Sequence, residues 1–155
     1  MHARERVIGA ILMVVVLPIL GLWIVAKIVY RSGLVLCWYV RHGRHGRRWL
    51  AVYSEGAKWR EHFESEVLPV IQDACVVINI SKLPSWKNAR SLERRVHREW
   101  GGRTDHTPIL VHMPHVVGRV EALRFYEAYL AEAKQAGSSE LDALLSRAKR
   151  LSNAA

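Results

Sequence analysis

Cysteine is scarce in this chain: Cys37 and Cys75 are the only two among 155 residues. That excludes a disulfide scaffold and a cysteine-rich zinc module, which need several thiols at short spacings. One cysteine lies near an apolar N-terminal run and the other in a strand-like run, so a bond between them is not expected. A reducing compartment fits that usage, and Cys75 reads as a small core residue. The nucleotide fingerprints GxGxxG and GxxxxGK[ST] are missing. No internal repeat is visible. Acids are few, 14 against 23 lysines and arginines, a net charge of +9.

The most informative feature present is the run from Val7 to Ala26, twenty residues without a charged or strongly polar side chain. At about 1.5 Å per residue such a helix crosses the roughly 30 Å hydrocarbon layer of a bilayer. A cleaved secretory signal has a shorter apolar core, about 7–15 residues, and a small-residue exit that Ile24 does not supply. Pro18, Gly9 and Gly21 are compatible with a membrane helix. Lys27 and Arg31 mark its exit.

Basic residues flank the run unequally. Arg4 and Arg6 precede it; Lys27, Arg31, Arg41, Arg44, Arg47 and Arg48 follow. The positive-inside rule then places the N-terminus outside and the rest of the chain in the cytoplasm, as a single-pass protein of the cell (inner) membrane. Residues 1–48 hold eight lysines and arginines against one acid, a net of +7. The remaining fifteen against thirteen leave only +2 for residues 49–155. The excess belongs beside anionic lipid, worth on the order of 1 kcal/mol per basic residue. The bilayer is the expected partner and nucleic acid is not.

Leu34–Val40 is apolar and aromatic, and could continue the helix, lie in the interface or form an edge strand; Trp38 and Tyr39 favour one of the first two. Arg41–Arg48 (RHGRHGRR) reads as a flexible basic linker whose Arg41, Arg44, Arg47 and Arg48 meet the membrane surface. The chain thus divides into a short extracytoplasmic N-terminus (1–6), a membrane helix and exit (7–30) and a juxtamembrane basic linker (31–48). An α/β domain (49–137) and a C-terminal helix packed on it (138–155) complete it.

In the domain, Trp49–Tyr53, Ala74–Ile80 and Ile109–Met113 are continuous apolar runs that suit strands covered on both faces. Helical spacing links them: Trp59, Phe63, Val67, Val70 and Ile71, with a break at Pro69; then Ala89, Leu92, Val96 and Trp100 up to Gly101-Gly102. Ala122, Phe125, Tyr126, Tyr129, Leu130 and Ala133 form a third stripe. Leu141, Leu144, Leu145, Ala148 and Leu151 form a fourth, with Ser139 as its cap. The expected fold is α/β: a small three-layer domain with a short parallel sheet, β-α-β-α-β-α-α.

Ligands of parallel sheets bind beyond the carboxyl ends of the strands, which selects three loops. In the first, Ser54, Gly56 and Lys58 could receive an anion at a helix start, with Glu55 as a catalytic candidate; an ordinary N-capped turn explains the same residues. In the second, Asn79, Ser81 and Lys82 could meet a phosphate-bearing ligand, with Lys87 and Trp86 nearby. Ser85 or Asn88 would cap the next helix. In the third, His112 and His115 could act as acid and base while Arg119 clamps an anion, early in the third helix. A zinc site needs more ligands than this pair offers, and no metal or cofactor is expected. The mixed charges Arg90, Glu93, Arg94, Arg95, Arg98 and Glu99 read as a solvated helix face.

The stretch Ile71–Ser81 followed by Ser85-Trp86 resembles the central part of TIR domains. There a hydrophobic strand ending in Ser precedes a Ser/Trp segment and a helix carrying a Glu, and catalytic members cleave NAD. The resemblance covers some twenty residues and makes Glu93 the nearest counterpart of that Glu. Its distance from Trp86 is longer than the pattern wants, and Leu92-Glu93 reverses the order.

Three functions follow. A cytoplasmic interaction or accessory module, gripping a protein partner or a second copy, fits the missing motifs. A membrane-tethered enzyme or binder of a nucleotide, sugar nucleotide or NAD requires Ser54, Glu55, Asn79, Ser81, Lys82, His112 and His115 to share one pocket. A lipid-surface protein would depend on Arg44, Arg47 and Arg48.

Overall fold

The long apolar run does form a helix. In the computed structural model α1 spans His2–Arg41, with Pro18 inside it. The structure describes residues 2–55, 60–102, 107–114, 118–134 and 140–153. The chain divides into two units, residues 1–33 and 34–155. In the first, the large apolar side chains from Met13 to Tyr30 are exposed, and Lys27 Nζ lies 5.8 Å above the Trp23 ring. The residues Leu34–Val40 are helical, not an edge strand.

The second unit is mixed α/β around a four-stranded sheet of order β2-β1-β3-β4. Its strands are β1 Trp49–Tyr53, β2 Cys75–Asn79, β3 Ile109–His112 and β4 Glu121–Arg124. β1 and β2 are parallel, but β3 runs antiparallel to β1 and β4 antiparallel to β3. The all-parallel sheet of three strands is therefore corrected to a mixed sheet of four. The chain leaves β2 at the edge where Tyr53 pairs with Asn79. It re-enters at that same edge, where Thr107 meets Ser54, so β3 has to run back. Coverage of both faces holds for β1 and β3 but only in part for β2, whose Val77 is exposed, and helices cover a mixed sheet as well as a parallel one. β3 and β4 are joined by residues 113–120, a length that suits antiparallel neighbours and is too short for a parallel crossover.

Side chains alternate across the sheet as strand geometry requires. Trp49, Ala51, Cys75, Leu110 and Leu123 face one core. Over it lie the helical stretch α2 (Arg60–His62), the π-helical turn Phe63–Val67 and α3 (Leu68–Ile71), together with α5 (Phe125–Lys134) and α6 (Glu140–Asn153). Leu50, Val52, Ile109 and Val111 face the other core, with Trp38 from α1, Trp86, and Val96 from α4 (Leu92–Val96). The widened π turn precedes Pro69, which has no amide to bond back to Ser65, so the ladder shifts there. Ser91 caps α4 by accepting the Arg94 amide at 3.2 Å, in place of Ser85 or Asn88. The helix continues as the π turn His97–Gly101 and stops at Gly102, whose φ of +104° favours glycine. The Ser139 cap falls outside the described residues.

Candidate functional site

Because β1 and β2 are parallel and in register from Trp49↔Cys75 to Tyr53↔Asn79, the loops that follow them emerge side by side. There a network closes. The Glu55 amide donates to Ser81 Oγ at 2.9 Å, and Asn79 Nδ2 donates to Glu55 Oε1 at 3.0 Å. The Ser81 amide donates to Asn79 Oδ1 at 3.0 Å, and Lys82 Nζ lies 3.4 Å from Glu55 Oε1. Ser54 Oγ shares a hydrogen bond of 3.0 Å with Thr107 Oγ1, so it links two loops.

Tyr53 and Glu64 join the same edge. Burial, and then its hydrogen bond to Glu64, push the Tyr53 phenol up. Arg60, whose Nε donates to Glu64 at 3.0 Å, holds the Glu64 carboxyl down, and Tyr53 adds to this. The Arg60–Glu64 pair is visible in sequence as an i,i+4 contact; the role of Tyr53 is not, because only the strand register brings it beside Asn79. Chemically, two carboxylates and two cations here satisfy one another. A carboxylate at the centre of a network repels a phosphate, so the arrangement ties loops together more readily than it grips an anion.

His112 lies elsewhere. It pairs with Trp49 at the start of β1, so the antiparallel course of β3 sets it at the opposite edge, roughly 10 Å from Ile109 at about 3.3 Å per residue. Its ring is 4.6 Å from the Trp49 ring, and burial pushes its pKa down, against the pull of Glu121. Ser54, Glu55, Asn79, Ser81 and Lys82 thus come together without His112. Arg119 is exposed in the connection between β3 and β4, ahead of any helix. Gly56, Lys58 and His115 fall outside the described residues.

A second polar cluster forms where α1 ends. His42 Nε2 donates to Glu93 Oε1 at 2.8 Å, and Arg41 Nε stands 3.7 Å from the same oxygen. Burial would raise the Glu93 carboxyl, but its own backbone amide, His42, Ser91 and Arg41 outweigh it and hold the group below the usual range. The Glu93 read as part of a solvated face is buried. The Trp38 ring lies 4.7 Å from the His42 ring, tilted by 49°, and its indole N–H donates to the Arg47 carbonyl at 3.1 Å. The backbone of Arg48 is held on both sides, its amide by the Ala74 carbonyl and its carbonyl by the Met113 amide, each at 2.8 Å. The side chains of Arg41, Arg44 and Arg47 remain exposed. Glu93 and Ser81, both part of the stretch that resembles TIR domains, belong to these two different networks.

No protein family, curated protein or solved structure matches this chain.

Proposed function

We propose that this chain is a single-pass protein of the cell membrane, with its N-terminus outside and a small α/β domain presented in the cytoplasm as an interaction or accessory module. The observation that carries the anchor is the exposed apolar surface of α1, from Met13 (67 %) to Val29 (65 %). Such a patch is far larger than a soluble monomer tolerates, whereas lipid solvates it. The six basic residues that follow the run, against two before it, support the cytoplasmic side for the domain. Exposed Arg41, Arg44 and Arg47 then face anionic headgroups.

The interaction reading is supported by the edge network, whose charged groups already have partners among themselves. A second reading, a membrane-tethered binder or enzyme for a nucleotide, sugar nucleotide or NAD, draws support from the convergence of Ser54, Glu55, Asn79, Ser81 and Lys82 at one sheet edge. C-terminal fusions test the topology. A green fluorescent protein fusion that fluoresces, with an alkaline phosphatase fusion that stays inactive, is expected. The reverse pattern would overturn the orientation.

A further inference from the structure

β2 is an outer strand of the sheet and lacks the devices that keep outer strands from pairing, such as lysine, proline or a charge on the strand. Its residues are Cys75, Val76, Val77, Ile78 and Asn79. Val77 is 44 % exposed, while Val76 and Ile78 are half-buried against the Trp38 side of the sheet. The other outer strand is guarded. β4 carries Glu121, held by Arg147 at 2.8 Å, and Arg124, held by Glu127 at 3.2 Å.

We propose that β2 is the interaction edge of the module and that its partner is a second copy of this chain. The two β2 strands pair antiparallel about a twofold axis at Val77, joining two sheets into one. This rests on the interaction reading above and names its partner. The strand is self-complementary in that register. Val77 meets Val77 of the second copy, Val76 meets Ile78, and Cys75 meets Asn79. Residues in register share a face, so Val76 and Ile78 keep to the Trp38 side in both copies. The contact is isologous, as closed dimers require.

Charge fixes the direction. Exposed Asp73 stands just before β2, and Lys82, 72 % exposed, stands just after it. Both residues sit in the 3-10 turns that flank the strand, and antiparallel pairing brings the acid-bearing end of each copy to the base-bearing end of the other, twice. Parallel pairing would set like charges together. Lys82 already lies 3.4 Å from Glu55, but an ammonium has three donors to share. Anchoring both copies in one bilayer raises their effective concentration.

Disulfide trapping tests the pairing on the full chain in its membrane. With Cys37 changed to Ser, a Val77→Cys variant places two thiols on the axis. Facing Cα atoms are about 4.5–5.5 Å apart there, within disulfide range. Oxidation is expected to give a covalent dimer from V77C and none from Leu83→Cys, which is equally exposed (43 %) but off the axis. No V77C dimer, or equal dimer from both, overturns the pairing. Val77→Lys is expected to give a folded monomer in detergent by sedimentation; a folded dimer also overturns it. A membrane-bound chain without the V77C dimer refutes the pairing alone. A chain found in the soluble fraction refutes the anchor, and oxidation there still decides the pairing.

Discussion

The Glu93 carboxylate accepts a hydrogen bond from His42 across 51 residues of sequence, at 2.8 Å and with both side chains largely out of solvent. The contact joins α4 to the residue that follows α1. Replacing Glu93 with Ala leaves His42 without its partner in a shielded site. A loss of about 1–3 kcal/mol is expected, a drop of several degrees in Tm by calorimetry.

The same pair gives a pH dependence with a definite sign. Glu93 titrates below its ordinary 4.5 in the folded chain, so the folded state binds its proton less readily than the unfolded one. Its contribution is complete above about pH 4.5 and fades as pH falls through the lowered value. Stability curves of the parent and Glu93→Gln should therefore lie furthest apart near neutrality and converge in acid. Curves that stay parallel to pH 3 would contradict this.

Trp38 is fully buried in the core formed with Leu50, Val52 and Val111, and it belongs to the unit beginning at Leu34. A fragment of residues 34–155 is expected to unfold cooperatively, whereas 49–155 lacks that indole and should bind a dye for exposed apolar surface. Trp38→Ala within the longer fragment is expected to cost about 3–5 kcal/mol in denaturant unfolding.

Burial pushes the Cys75 thiol up to about 12, while Cys37 is exposed. The thiolate is the reactive form, so a maleimide at neutral pH should label Cys37 alone until the chain is denatured. Mass spectrometry of the native protein in detergent micelles reads the single adduct. Two rapid adducts would show that the β2 core is open.

Gly101 packs against the buried His97 ring: a Cβ placed on it would lie 2.9 Å from the ring carbon Cδ2. Gly101→Ala has to displace that ring, and about 1–3 kcal/mol of destabilisation is expected from the overpacking. Thermal melts of the 34–155 fragment measure it.

The sequence discloses elements better than their arrangement. Trp49–Tyr53, Cys75–Asn79 and Ile109–His112 are legible because β-branched and aromatic runs bounded by turns mark strands, fully buried in β1 and β3 and only partly in β2. Their relative direction is not, since a strand covered on both faces looks the same either way up. That one inversion separates His112 from Ser54 and Ser81. β4 is illegible for another reason: Glu121-Ala-Leu-Arg124 has helical propensities, and pairing along β3 overrides them. The His42–Glu93 contact has no local signature at all, because glycines in Arg41–Arg48 suggest a loose linker while tertiary hydrogen bonds hold its backbone.

Whether α1 is retained as an anchor is read most directly from the mass of the chain recovered from carbonate-washed membranes. The full 17.7 kDa chain remaining in the washed pellet is the expected result. A shorter chain that begins beyond Ala26 and appears in the wash would make the apolar run a cleaved signal, and would contradict the account.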